Sequence, residues 1–364
     1  MTAVGRAPGR LDVLGGVGDY SGSLVLQAPI RASTTVEIAP CAEYRLQSDS
    51  HGEAAAASLD LARLPRWTHY PLGCLQVFTA VKRWRPRRGL AFRIRSDVPP
   101  SAGVSSSAAL EIATLRALAA LSGIGFDGLE IAYLARRAEN EIVGVPCGLM
   151  DQLASAFGRP GAILPILCRP DVLGEPIGLP HGAAVVGWPS PITRAVGGSP
   201  YTTARTASLM GKRLIETRLG RTWRYTSELP LVESLPERMA GADFLAQHRP
   251  IDDPLSVVEP EREYPVRAAT RFPIEEHARC LHACELLHAG RLSEIGRLMK
   301  ASHRGYGAMG LGTDETDRMV ARIEELGPSE GFYGARVSGG GAGGTVVVLL
   351  DERAIGRLPG TVIR

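Results

Sequence analysis

The chain has 364 residues, a hydrophobic fraction of 45% and a formal net charge of +3. That length fits about two domains, each able to bury a real core. The small net charge gives no basis for a nucleic-acid surface, and no segment approaches the roughly 18 apolar residues needed to cross a bilayer.

In chain order, the first forty or so residues read as strand, turn, strand. "LDVLGG" leads into the Gly/Asp turn "GGVGDYSGS", and "LVLQAPI" and "STTVEIAP" follow with strand-like patterns. "KRWRPRR", from Lys82 to Arg88, reads as a solvated helix end followed by a proline break; the alternative is a phosphate grip beside Trp84. "GLAFRIRSDV" alternates as a strand and delivers the chain to "VPPSAGVSSSAAL", Val98 to Leu110. The apolar spacing then turns helical from Ser107 to about Leu121. A second helix is expected from Leu129 to about Val143, ended by Gly144 and Pro146. "AILPIL" and "GAAVVGW" read as strands, and "SPYTTARTASLMGKRLIET" as a long helix. Residues 225–265 have weak periodicity and read as connecting helices and loops. Helices are expected at about 274–290, 292–308 and 314–326, with strands returning in "ARVSGGGAGGTVVVLL". Strands followed by helices, rather than strict alternation, predict an α+β arrangement, divided near residue 190 into segments 1–190 and 191–364.

The six cysteines suit a reducing compartment better than a disulfide framework. With no signal-peptide pattern at the start, the expected location is the cytoplasm. His277, Cys280, Cys284 and His288 would share one helix face. Leucines interleave them, so a helix with small core cysteines is the simpler reading than a zinc site.

Three serines at the mouth of a helix exceed what capping needs. A helix start offers unpaired N–H groups and partial positive charge, and small residues before it let an anion approach the backbone. Ser105, Ser106 and Ser107 can add hydroxyls for phosphate oxygens or for Mg²⁺, which prefers oxygen ligands. The loop lacks the GK[ST] of a P-loop, and the residues alone also fit a tight turn.

Three further stretches stand in order around this loop: "APGRLDVLGGVGDYSG", "CGLMDQLAS" and "SGGGAGGT". Together the four resemble the GHMP kinase superfamily, in its galactokinase branch, over almost the whole chain. The resemblance implies a two-domain fold, with an N-terminal domain like ribosomal protein S5 domain 2 and a ferredoxin-like C-terminal domain. It implies ATP and Mg²⁺ as cofactors, a small sugar as partner bound between the domains, and neither nucleic acid nor membrane as a partner. Monomer and homodimer both remain open.

By the same resemblance, Asp151 takes or orients the proton of the anomeric hydroxyl, although an aspartate in "MDQ" also suits a helix cap. Arg10 would sit beside it and keep it ionised. Pro100, Gly103, Val104, Ser105, Ser106, Ser107 and Ala108 would carry the nucleotide phosphates. Glu139 would hold Mg²⁺ with Ser106 or Ser107, with Ser107 preferred; pairing with Arg136 or Arg137 is the alternative for Glu139. Gly148 would admit a ligand close to the backbone. Asp19, Tyr20 and Tyr201 would meet sugar hydroxyls, since a carboxylate can accept from two adjacent ones. Gly340 and Gly341 belong to a loop that would close the site.

One departure bears on the substrate. The galactokinase signature reads G-E-H-T-D-Y, whereas this chain reads Gly15, Gly16, Val17, Gly18, Asp19, Tyr20. The Glu-His pair that faces the sugar's C6 hydroxyl is replaced by Gly16 and Val17. A site without those partners should prefer a sugar without that hydroxyl, because an unpaired buried hydroxyl costs about 1–3 kcal/mol. L-Arabinopyranose is such a sugar, and the surrounding residues resemble plant L-arabinokinase kinase domains. The expected reaction is ATP-dependent phosphorylation of L-arabinose at O1. Galactokinase activity, action on a heptose or uronic acid, and a catalytically silent sugar sensor are the alternatives.

Overall fold

The computed structural model describes residues 2–192, 200–230, 232–251, 253 and 255–364. By backbone contacts the chain divides into two compact units. The first comprises residues 1–10, 29–100 and 104–160; the second comprises 11–28, 101–103 and 161–364. The long strands β1 (Ala3–Leu14) and β2 (Leu24–Cys41) contribute residues to both.

In the first unit, β3 (Tyr44–Ser48) and β4 (Gly52–Ala56) form a hairpin. β3 also pairs in parallel with β5 (Gly89–Ser96), which runs antiparallel to Thr34–Cys41 of β2. The helices are α1 (His69–Lys82), α2 (Ser106–Ser122), α3 (Gly128–Arg137) and α4 (Met150–Phe157). The core gathers Val36, Ile38, Phe78, Phe92, Ile112 and Leu118. Val36 and Ile38 alternate along β2, and Ile112, Leu115 and Leu118 recur in three-residue steps on α2, as burial of one face of each element requires. β1 passes close under α2 because residue 5 is glycine: a Cβ there would lie 2.0 Å from the Ala113 carbonyl oxygen.

In the second unit, Leu24–Gln27 pairs with β6 (Ala162–Leu167), which also pairs with β7 (Val172–Leu173) and β8 (Ile177–Gly178). A separate antiparallel sheet has β9 (Ala183–Pro189) beside β13 (Thr345–Asp351), with β12 (Phe332–Val337) on the other side of β13. A two-residue pair, β10 (Met239–Ala240) and β11 (Glu263–Tyr264), ties down the connecting region. The helices are α5 (Pro200–Leu219), α6 (Gly241–Gln247), α7 (Val266–His288), α8 (Leu292–Ala308) and α9 (Asp314–Leu326). Strands and helices are segregated in the α+β manner expected from the sequence.

Two helices differ from expectation for identifiable reasons. The helix expected from residue 274 begins eight residues earlier, at Val266, and contains Pro273. Proline removes one helical N–H, but burial of Val266, Ala269 and Phe272 in one apolar cluster offsets that loss. The helix expected over 129–143 is regular only to Arg137. Residues Ala138–Val143 then open into a wider turn, closed by Gly144 at φ 75°. Of the expected helix at "SPYTTAR", Ser199 lies outside the described residues, and the helix runs from Pro200.

α1 ends at Lys82, with Arg83 left-handed at φ 53°. On α7, Cys280 is buried, the His277 ring accepts the Leu24 N–H at Nδ1 (3.0 Å), and His288 bonds the Cys284 carbonyl. Among the described residues no group of three or more His, Cys, Asp or Glu side chains is placed to hold a metal. Among them, too, no helix is long and apolar enough to cross a membrane.

Candidate active site

In the first unit, the serine loop meets β1. The Arg10 N–H donates to the Val104 carbonyl at 3.1 Å, and Gly9 permits this approach because a Cβ there would lie 2.7 Å from the same oxygen. Arg10 is thereby buried, and its guanidinium reaches Asp151 in the first turn of α4. Arg10 Nε and Nη2 both donate to Asp151 Oδ1, at 3.0 and 2.7 Å. The carboxylate keeps 29% of its side chain exposed, so it is held on the protein side and open on the other.

At the start of α2, Ser105 is left-handed (φ 60°, ψ 45°) and its side chain does not cap the helix. Its hydroxyl is buried and has no hydrogen-bond partner. A buried orphan hydroxyl is unfavourable unless something binds there, and the uncapped first turn leaves N–H groups for an anion. Val104 and Ala108 are buried beside it, Ser106 and Ser107 are half-buried, and Pro100, before the loop, is exposed.

Beyond Ser107 lies a carboxylate cluster. The Ser107 hydroxyl is hydrogen-bonded to Glu139, which sits in the wide turn after α3. Gln152 Nε2 donates to Glu139 Oε2 (2.7 Å) and to Glu111 Oε2 (3.3 Å). The Cys147 thiol donates to Glu139 Oε2 at 3.4 Å. Burial first, and then the negative charge of Asp151, push Glu139 up to about 7. Glu111, wholly buried on α2, is pushed well up by burial and then by Glu139. Two buried carboxyls this close do not both ionise at neutral pH without a compensating cation. Glu111 Oε1 has no partner. Oxygen donors of this kind suit Mg²⁺. Gly148 follows Cys147, whose N–H is held by Asn140 Oδ1 at 2.9 Å.

In the second unit, the signature turn (Gly16–Tyr20) is fully buried. The Tyr201 hydroxyl donates to Asp19 Oδ1 at 3.5 Å, and the Tyr20 and Tyr201 rings meet edge to face at 6.5 Å. Burial, then the Asp19 charge, raise Tyr201 well above its ordinary value, which keeps its hydroxyl a donor. Arg205, one turn further along α5, supports this group. Burial alone would lower it, but Tyr201, Asp253 and Asp19 outweigh that and hold it charged. Its Nη2 lies 3.1 Å from both Asp253 oxygens. Val17 is packed in the apolar cluster with Tyr306 and Leu311.

The glycine-rich loop after β12 also belongs here. Gly341 is left-handed (φ 72°), and a Cβ there would lie 2.6 Å from the Leu311 carbonyl oxygen. Gly340 precedes it, half-buried. Ser338 Oγ donates to the Gly103 carbonyl (3.3 Å), and Thr345 Oγ1 to that of Ala102 (2.7 Å). The structure thus joins Arg10 to Asp151, Ser107 to Glu139, Asp19 to Tyr201, and Gly103 to the glycine-rich loop.

Sequence reasoning did not find Glu111, Gln152, Cys147, Arg205, Arg336 or Tyr306. A charge on the apolar face of α2, four residues after Ser107, was the available signal for Glu111. Cys147 and Gln152 lie in "CGLMDQLAS" beside Asp151 and Arg205 one turn after Tyr201, so nearness was their signal, while Arg336 and Tyr306 are brought in by distant contacts.

Sequence comparison adds relatives. The profile of the GHMP kinases N terminal domain matches residues 69–159, and that of the GHMP kinases C terminal region matches residues 283–358. An L-arabinokinase of Arabidopsis thaliana is 29% identical over 95% of this chain and 42% of its own length, so the chain spans less than half of that protein. A galactokinase of Roseiflexus sp. (strain RS-1) is 32% identical, over 96% of this chain and 84% of its own. In structure, the chain resembles Lactococcus lactis galactokinase, solved in complex with galactose. The TM-score is 0.81 at 23% identity, covering 98% of this chain and 87% of that one.

Proposed function

The chain belongs to the GHMP kinases and has their two-domain α+β fold, and on that premise we propose that it is an ATP-dependent sugar 1-kinase acting on L-arabinose. The observation that carries the proposal is the Asp151 carboxylate, gripped twice by Arg10 and half open, in the same unit as the uncapped start of α2. In this reading residues 1–190 form the amino-terminal kinase domain and residues 191–364 the carboxy-terminal one.

Asp151 accepts or orients the proton of the anomeric hydroxyl, and Arg10 stabilises charge at the attacking oxygen. The first-turn N–H groups of α2, with Ser105 and Ser106, hold the triphosphate. Ser107 and Glu139 hold Mg²⁺, which when bound neutralises charge on the transferring phosphoryl group. Asp19 and Tyr201 fix the sugar hydroxyls. Gly16 and Val17, in place of Glu and His, support a sugar without an exocyclic hydroxymethyl group.

D-Galactose is the competing substrate, favoured by the 32% identity to a galactokinase. A coupled ADP-release assay with L-arabinose, D-galactose and D-glucuronate tests the choice. L-Arabinose is expected to give the highest kcat/KM; galactose turnover equal to it would refute the pentose assignment.

A further inference from the structure

Under the signature turn of the second unit lies a buried polar cluster. Arg336 is wholly buried; its Nη1 donates to the Asp12 backbone carbonyl (2.9 Å) and to Asp12 Oδ2 (2.8 Å). Its Nε and Nη2 have no hydrogen-bond partner. The guanidinium carbon lies 4.7 Å from the centre of the Tyr306 ring. The Tyr306 hydroxyl accepts the Val17 N–H (2.9 Å) and donates to the Gly339 carbonyl (2.6 Å). One oxygen therefore joins the signature turn to the glycine-rich loop.

Gly16 is left-handed, at φ 50°, and lies directly against this oxygen. A Cβ at residue 16 would stand 2.0 Å from the Tyr306 hydroxyl oxygen, 2.7 Å from its ring carbon Cζ and 2.8 Å from Arg336 Nη2. The space that a side chain at 16 would claim is occupied by Tyr306. Flexible ends of side chains can yield, but Tyr306 is fully buried, with its ring packed edge to face on Phe272 at 5.3 Å.

We propose that Tyr306 is a positioning residue for sugar specificity: the Gly16–Tyr306 pair, and not Gly16 alone, shapes the signature turn for a pentopyranose. This rests on the sugar-kinase reading above. A carboxylate placed at 16 with Tyr306 present expels the ring and breaks both of its hydrogen bonds. With the ring removed, the remaining close contact is between the Cβ and Arg336 Nη2 at 2.8 Å. A small shift of that guanidinium end relieves it, and the carboxylate beyond can then pair with Arg336 and offer an acceptor to a hydroxymethyl group.

The test compares the wild type with Gly16→Glu, Tyr306→Leu, the double variant and the mild Tyr306→Phe. The readouts are Tm, kcat/KM for L-arabinose and D-galactose, and KM for ATP. Gly16→Glu should lower Tm and abolish sugar turnover. Adding Tyr306→Leu should restore Tm relative to Gly16→Glu and move the arabinose-to-galactose ratio about tenfold or more towards galactose. Tyr306→Phe should raise KM for the sugar several-fold and leave KM for ATP unchanged. The proposal is overturned if Gly16→Glu is as stable and active as wild type, if the double variant keeps the wild-type sugar ratio, or if Tyr306→Phe moves both KM values equally. A wild type that phosphorylates neither sugar defeats the sugar-kinase reading instead; the Tm coupling between residues 16 and 306 needs no substrate and still decides whether the pair competes for one space.

Discussion

Replacing Asp151 by Asn removes a charge and little else. The Asn side-chain oxygen can still accept from Arg10 Nε and Nη2, which now reach Asp151 Oδ1 at 3.0 and 2.7 Å. A hydrogen bond to a charged group contributes about 1.5–3 kcal/mol and a neutral one about 0.5–1.5 kcal/mol. Two weakened bonds therefore amount to about 2 kcal/mol. Part of this is returned, because the Asp151 charge also disfavours ionised Glu139. The net loss of stability should be about 1–2 kcal/mol, a fall in Tm of a few degrees. The effect on rate should be of a different order: losing a general base slows turnover about 10²–10⁴-fold. Steady-state ADP release with saturating ATP and L-arabinose measures the rate, thermal unfolding measures stability, and a fluorescent ATP analogue reports binding. Turnover within about threefold of wild type would refute the role of Asp151 as base. Parallel loss of nucleotide binding would refute the claim that it acts on the sugar hydroxyl.

Glu139 gives a pH prediction. Its pKa rises from 4.5 to about 7 in the folded chain. Its proton therefore stabilises the fold at low pH, and that stability is lost as pH rises through about 7; between pH 5.5 and 8 the loss is about 2 kcal/mol. Denaturant unfolding at the two pH values should show this extra loss in wild type and not in Glu139→Gln; identical slopes would count against it. Ser107→Ala should raise the Mg²⁺ concentration for half-maximal activity about tenfold or more, and Ser106→Ala should not; the reverse order in a Mg²⁺ titration would reassign the ligand. Asp12 and Arg336 form an ion pair with both side chains at 0% exposure. Asp12→Asn should therefore destabilise the chain by about 3–5 kcal/mol, and a chemical-denaturation midpoint near that of wild type would contradict the pairing.

Much of this was legible locally. The serine-loop helix begins one residue before its expected start, because small residues, a proline pair and an apolar period announce it. Glu139 was placed on a helix by spacing alone, yet the wide turn that buries it carries no local signature. The helix expected from about residue 274 starts at Val266 instead and runs through Pro273, because tertiary burial outweighs the proline. Gly16 stood out as a departure from a family signature. Its physical cause, Tyr306, bonds the next residue across 289 positions of sequence, and no window of sequence contains both. The same applies to Glu111 and Gln152, which meet 41 residues apart: their partnership follows from how α2 and α4 pack, not from either segment.

In the proposed reaction a phosphoryl group moves from ATP to the anomeric oxygen of L-arabinose. Phosphorus NMR of the protein incubated with ATP, Mg²⁺ and L-arabinose reads this transfer directly. A new phosphomonoester resonance, split by the anomeric proton and growing as the γ-phosphate signal falls, is the predicted result. An ATP signal that decays only to ADP and inorganic phosphate, or a phosphomonoester coupled to any other sugar position, would contradict it.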